Sequence, residues 1–154
     1  MPTYNLLVVD ETTGQPSALG LQQAGPSLQV EILVHPTLSQ HLQQQGQAVP
    51  VPVVGRSLID TGATFSAVDR AVIQQLGIPP IGTVQMGTAG GPQTQAQYPA
   101  SFGFPGTGLP GVNFTFVIGC DLSGQGIVAL IGRDVLRYFV MIYNGAFGQV
   151  ILSI

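Results

Sequence analysis

The chain has 154 residues, of which 45% are hydrophobic and only 7% charged, with a formal net charge of -3. That length suits one domain spanning 1–154, which buries roughly 70% of its unfolded surface, and that apolar content excludes a disordered chain. With 4 Lys and Arg in all, neither a nucleic-acid surface nor a membrane-surface patch is expected, and no apolar run is long enough to span a bilayer. Few charges also mean weak mutual repulsion, so association between copies is easy. Cys120 is alone, which excludes an internal disulfide and a cysteine metal site. The opening Met-Pro-Thr-Tyr-Asn lacks the positive-then-apolar pattern of a signal peptide. The expected setting is therefore cytoplasmic and reduced, unless the chain is a fragment of a longer precursor.

In chain order, Tyr4 to Val9 is a short apolar run that predicts a strand. Thr12 to Pro26 is rich in Gly, Pro and Gln and reads as loop. Leu28 to Val34 alternates apolar and polar before turning wholly apolar, as a half-buried strand does, and Pro36 ends it. The Gln-rich 37–52 segment reads as a surface insertion in which Leu38 and Leu42 share one face of a short helix. Val53 to Ile59 is a strand running into the turn Asp60-Thr61-Gly62-Ala63.

After that turn, Ser66 and Asp69 have capping-box spacing, and Val68, Val72 and Leu76 recur every four residues, predicting a helix. Gly77 supplies a left-handed end and Pro79 blocks continuation. Met86-Gly87-Thr88-Ala89-Gly90-Gly91 is dense in Gly, as a mobile hairpin tip is. Gln95 to Phe104 returns as a strand, and Phe104 to Gly111 is a Gly/Pro turn. Asn113 to Ile118 and Ile127 to Ile131 are further strands, and Arg133 to Tyr138 makes one or two helical turns. Phe139 to Tyr143 and Val150 to Ile154 close the chain as a hairpin, with Asn144-Gly145 as a two-residue turn. No internal repeat is seen.

Two motifs carry chemistry. Leu58-Ile59-Asp60-Thr61-Gly62-Ala63-Thr64 sets a carboxylate at the end of an apolar strand. Leu130-Ile131-Gly132-Arg133-Asp134 runs an apolar strand into Gly and a short helix. Peptide hydrolysis by water needs a base to activate the water and an acid for the leaving nitrogen. Two close carboxylates sharing one proton do both, because they cannot both ionise at contact distance. Together the motifs resemble the retropepsin-like aspartic proteases, over roughly residues 27 to 154.

The resemblance implies a mostly β, closed-barrel acid protease fold in a single-lobe subunit, with one or two short helices. It implies Asp60 as the catalytic residue, with Thr61, Gly62 and Ala63 supporting its loop. Residues Met86, Gly87, Thr88, Ala89, Gly90 and Gly91 become a flap over a peptide bound as an added strand. Ile131, Gly132 and Arg133 become structural neighbours of the site, with Gly132 needed because two segments pass closely there. Only one Asp-Thr-Gly is present, so catalysis requires a two-fold homodimer with one Asp60 from each subunit. The terminal strands are candidates for an intersubunit sheet, and Ile81, Val84 and Ile131 for apolar pocket walls. Neither a metal nor an organic cofactor is implied.

Two departures matter. Retroviral members carry Asp where this chain has Thr64, and that Asp pairs with the Arg of the Gly-Arg segment, so Arg133 needs another partner, with Asp69 or Asp134 as candidates. The match is closer to cellular or bacterial members than to viral ones. Ala63 brings no hydroxyl to the dyad, which places the activity optimum at about pH 4.5–6.5. The alternatives are a non-catalytic domain of the same fold, used for dimerisation or peptide binding, and an unrelated β-barrel or sandwich binding module. His35 and His41 lack a third ligand for a metal. Cys120 reads as a buried apolar residue or an exposed thiol, with no His in place to make it a nucleophile.

Overall fold

A computed structural model describes residues 1–154. It contains ten strands and four short helices, ordered β1 (Thr3–Leu7), α1 (Ala18–Ala24), β2 (Ser27–Val34), α2 (Pro36–Gln44), β3 (Val53–Ile59), β4 (Ala67–Asp69), α3 (Arg70–Gln75), β5 (Gly82–Thr88), β6 (Gly91–Gly103), β7 (Val112–Cys120), β8 (Ala129–Ile131), α4 (Arg133–Leu136), β9 (Val140–Asn144) and β10 (Gln149–Ser153).

The larger sheet runs β2-β3-β8-β4-β7-β6-β5, and β2 also pairs with β6. That extra pairing, Glu31 to Val34 against Gly103 to Ala100, closes six strands into a ring and leaves β5 as an appended edge. Closure removes the exposed edges that an open sheet presents. Alternation then decides what faces inward: on β2, Leu28, Val30, Ile32 and Val34 are buried while Gln29 is exposed. These residues join Phe102, Phe114, Val117, Ile131 and Val135 in one cluster of 22 buried apolar residues. The smaller sheet, β1-β10-β9, packs Val150 and Leu152 into the same cluster.

Three expectations are corrected. The 12–26 segment is not all loop: α1 lies within it. Ser17 caps α1 by accepting the Gly20 N–H, and Leu21 is wholly buried. One apolar anchor with a good cap makes a helix that a scan for periodicity passes over.

Second, the helix expected from Ser66 begins only at Arg70. Residues 67–69 are strand β4, squeezed between β7 and β8, and Asp69 is the cap, accepting the Ala71 N–H. Val68 is buried as a strand residue, so its spacing of four to Val72 coincides with a helical period without marking a helix. Gly77 does adopt a left-handed φ of 62° at the end of α3.

Third, the last hairpin has no two-residue turn. Asn144 pairs with Gln149, Gly145–Phe147 form a 3-10 turn, and Gly148 takes the left-handed conformation at φ 59°.

Within the subunit the terminal strands pair with each other, Thr3 to Leu7 running antiparallel to Ser153 to Gln149, and the outer edges of β1 and β9 have no pairing strand. The insertion does hold a helix, α2, on which Leu38 and Leu42 are half-buried.

Candidate active site

The two motifs that lie far apart in the sequence are side by side in the fold. β3 and β8 are parallel neighbours with Leu58 beside Leu130 and Ile59 beside Ile131. Both isoleucines are buried, so the strands arrive at their ends together and anchored. The ladder continues one step further: the Asp60 N–H donates to the Ile131 carbonyl at 2.9 Å. Asp60 is therefore fixed by backbone at the tip of a core strand.

The turn that follows curls back onto the carboxylate. Asp60 Oδ1 accepts the Gly62 N–H at 2.8 Å and the Ala63 N–H at 3.2 Å. Such bonds hold the side chain in one orientation. Thr61 and Gly62 are exposed, and Asp60 and Ala63 are partly so. A Cβ on Gly62 would sit 3.1 Å from Asp60 Oδ1, so the absence of a side chain there keeps that oxygen uncrowded.

The segment after β8 clamps this turn. Gly132 opens α4, and a Cβ at Gly132 would lie 2.6 Å from the Phe65 carbonyl carbon. Backbone passes against backbone there, as expected for this glycine. Ser66, fully buried, donates its hydroxyl to Asp134 Oδ1 at 2.7 Å and accepts the Gly132 N–H at 3.0 Å. Asp134 Oδ2 takes the Ser66 N–H at 2.9 Å. The Arg133 N–H donates to the Ala63 carbonyl at 2.9 Å.

Arg133 pairs with neither candidate carboxylate. Its guanidinium donates to the Thr61 carbonyl at 2.8 Å and to the Thr64 hydroxyl at 2.9 Å. Asp134 is spent on Ser66, and Asp69 on the Ala71 and Leu122 N–H groups. Thr64 thus accepts the arginine with a neutral oxygen. Nothing in the spacing of the sequence signalled this.

Beside Asp60 opens a cavity of about 500 Å³, lined by Gly25, Pro26, Leu58, Ile59, Asp60, Thr61, Met141 and Tyr143. Met141 and Tyr143 come from β9, which the sequence reading had treated only as part of a terminal hairpin. They were not identifiable beforehand, because no local pattern says which distant strand flanks the turn. None of the six flap candidates lines this cavity. Met86, Gly87 and Thr88 end β5, Ala89 and Gly90 make the turn, and Gly91 starts β6 with φ 103°. The Thr88 hydroxyl ties the tip by donating to the Gly91 carbonyl at 2.7 Å.

The expected pocket walls are also redistributed. Ile131 is only 2% exposed, a core residue. Ile81 lines a different hollow of about 480 Å³, together with His35, Leu38 and His41, which shares no residue with the Asp60 cavity. No three His, Cys, Asp or Glu side chains gather as a metal set.

Cys120 is half-buried, and its thiol is pushed up to about 11, first by burial and then by the nearby Asp69 carboxylate. At neutral pH it is a protonated thiol and a poor nucleophile. Asp10 and Asp121 are exposed loop carboxylates held below the ordinary range. For Asp10 the cause is the Thr13 and Thr12 N–H groups, and for Asp121 the Ser123 hydroxyl and N–H. Both form local turns and neither lines the Asp60 cavity.

The family model described as aspartyl protease matches residues 45–135, a span that holds Asp60, the glycine-rich hairpin and Gly132. That is more than half of the chain, and the chain belongs to the aspartyl protease family. No curated protein sequence matches it. Among solved structures, it is similar to a retropepsin-like aspartic protease from Rickettsia conorii at 15% identity and TM-score 0.47, covering 97% of this chain and 90% of that one. It is also similar to simian foamy virus protease at 19% identity and TM-score 0.45, covering 73% and 93%. The fold is mostly β, and no helix is long and apolar enough to cross a membrane.

Proposed function

We propose that the chain is a homodimeric aspartic endopeptidase, one domain over residues 1–154, in which each subunit contributes Asp60. The observation that carries this reading is the Asp60 turn itself. A single carboxylate sits at the end of a core strand, held by the Gly62 and Ala63 N–H groups and clamped by Gly132, Ser66 and Asp134.

One Asp60 carboxylate accepts a proton from the attacking water. The other, protonated, polarises the scissile carbonyl, and the proton then passes to the leaving nitrogen. The rigid turn supports this role because a dyad needs its carboxylates positioned before substrate arrives. An extended peptide lies across the two turns, with residues 86–91 closing over it as a flap. The apolar lining supplied by Leu58, Met141 and Tyr143 favours an apolar side chain beside the reacting carbonyl.

The test is cleavage of a diverse peptide library across acidic pH by wild type and Asp60→Asn. Wild-type cleavage that peaks at about pH 4.5–6.5 and vanishes in a folded Asp60→Asn variant is the expected result. Equal residual cleavage by both proteins would move Asp60 to a structural role. An optimum below about pH 3 would contradict the part assigned to Ala63.

A further inference from the structure

The hollow of about 480 Å³ that shares no residue with the Asp60 cavity lies where the β5–β6 hairpin joins the ring of strands. We infer that it binds a small amphiphilic carboxylate, an apolar body with one anionic head, and that the bound molecule restrains the root of the hairpin. The inference goes beyond the peptidase reading and does not depend on it. Where the hairpin closes over a peptide, such a ligand sets how readily it moves.

Two walls meet at this hollow. One is α2, with Leu38 half-buried on it, His35 at its start and His41 in its last turn. The other is the hairpin's root. Ile81 directly precedes β5, is 55% exposed, and donates its N–H to the Gln97 carbonyl at 2.9 Å. Pro99 and Thr115 stand at a break in the β6–β7 ladder. Tyr98 pairs with Val117 and Ala100 with Phe114, so one residue of β6 opposes two of β7. Such a bulge bends a strand, and Pro99 brings no N–H to the ladder. Before the break β6 pairs with β5, and from Ala100 onward it pairs with β2. The break therefore marks the junction of hairpin and ring, and the hollow sits on it.

The lining selects the chemistry of the ligand. Of its seven residues none is acidic and none is Lys or Arg. An anionic head therefore meets no repulsion, while a small, strongly hydrated anion such as phosphate finds no guanidinium or ammonium to hold it. The polar groups are imidazoles and threonine hydroxyls. His35 Nδ1 accepts the Thr37 N–H at 3.2 Å, which caps α2. In a neutral ring that places the proton on Nε2, so His35 offers a donor to a carboxylate oxygen. Leu38, Ile81 and Pro99 give the rest of the molecule an apolar bed. The volume falls within the range of small-molecule sites, about 300–1,000 Å³. A molecule touching both walls opposes movement at the bulge.

The test uses decanoate as the probe and the chain's 2 histidines, His35 and His41, as reporters. Titrated into the whole chain, decanoate should move both imidazole resonances in NMR spectra with one shared Kd. Decyltrimethylammonium, the same body with a cationic head, should bind about tenfold more weakly. Decanoate should be weakened by about the same factor in His35→Asn, which keeps a capping side chain, and in Ile81→Asp, which sets a carboxylate in the lining. Circular dichroism confirms the fold of each variant. Saturating decanoate should also slow amide hydrogen exchange across β5 about fivefold. No binding up to about 1 mM, binding that moves neither imidazole, or equal affinity for the cationic probe would overturn the site. Binding as expected with unchanged exchange in β5 would overturn the restraint on the hairpin. Both effects in a chain that cleaves no peptide would remove the peptidase reading and support this one.

Discussion

Gly132 has no room for a methyl group. The carbon and oxygen of Phe65 and the Ser66 nitrogen all lie within 2.9 Å of where its Cβ would stand, and backbone atoms cannot rotate aside. Gly132→Ala should cost about 1–3 kcal/mol by overpacking and loosen the clamp on Asp60, seen as a lower urea midpoint and a lower kcat in folded protein. An unchanged midpoint would mean the two segments are less tightly apposed.

A different signature is expected of Cys120. Its thiol keeps its proton in the folded chain up to about 11 and loses it near the ordinary 9.0 once unfolded. Between those values the folded state binds more protons than the unfolded, so stability falls as pH rises. The contribution is whole below pH 9.0 and lost through about 11. Urea melts across that range should show a decline that is shallower in Cys120→Ala.

At this scale the sequence was informative about glycines and carboxylates with a stereochemical duty, Gly62, Gly132 and Asp60. It was silent on Arg133, whose partners, the Thr61 carbonyl and Thr64 hydroxyl, carry no pattern.

Elements were legible where the period and the environment agreed. β2 alternates because one face meets the core, and β8 is wholly apolar because it lies between two strands. α1 failed this test because a seven-residue helix with only Leu21 buried has no period to detect. The Ser66 reading failed because a serine hydroxyl has several uses: here it bonds Asp134 and Gly132 across the fold instead of capping a helix.

α1 nevertheless matters to the site, since the chain leaves it directly into Gly25 and Pro26 on the Asp60 cavity wall. Leu21→Ala should cost about 2–5 kcal/mol, measured by thermal or urea unfolding. It should also reduce kcat/KM more than an Ala substitution at exposed Leu19 does. Equal effects at the two positions would mean that α1 is a surface element with no bearing on the cavity.

At the scale of the whole molecule, the governing fact is one Asp60 per chain in a fold whose ring of strands is already closed. Nothing inside the subunit supplies a second carboxylate to the cavity: of its lining residues only Asp60 is acidic. Association is favoured by the low charge, 4 basic and 7 acidic residues in 154, which gives little electrostatic opposition. Within the subunit the terminal strands pair with each other, Val150 and Leu152 anchoring them to the core, and the sheet they form is open to a further strand at both edges.

The central claim is that one active site takes Asp60 from two chains, and mixed dimers test it most directly. Wild type and Asp60→Asn are co-expressed in varied ratios with distinct tags, and peptide cleavage is measured against the wild-type fraction at constant total protein. If both carboxylates are required, activity falls as the square of that fraction, and purified heterodimers are inactive. Activity falling in simple proportion, with heterodimers that cleave at half the wild-type rate, would mean that each chain works with its own Asp60 alone.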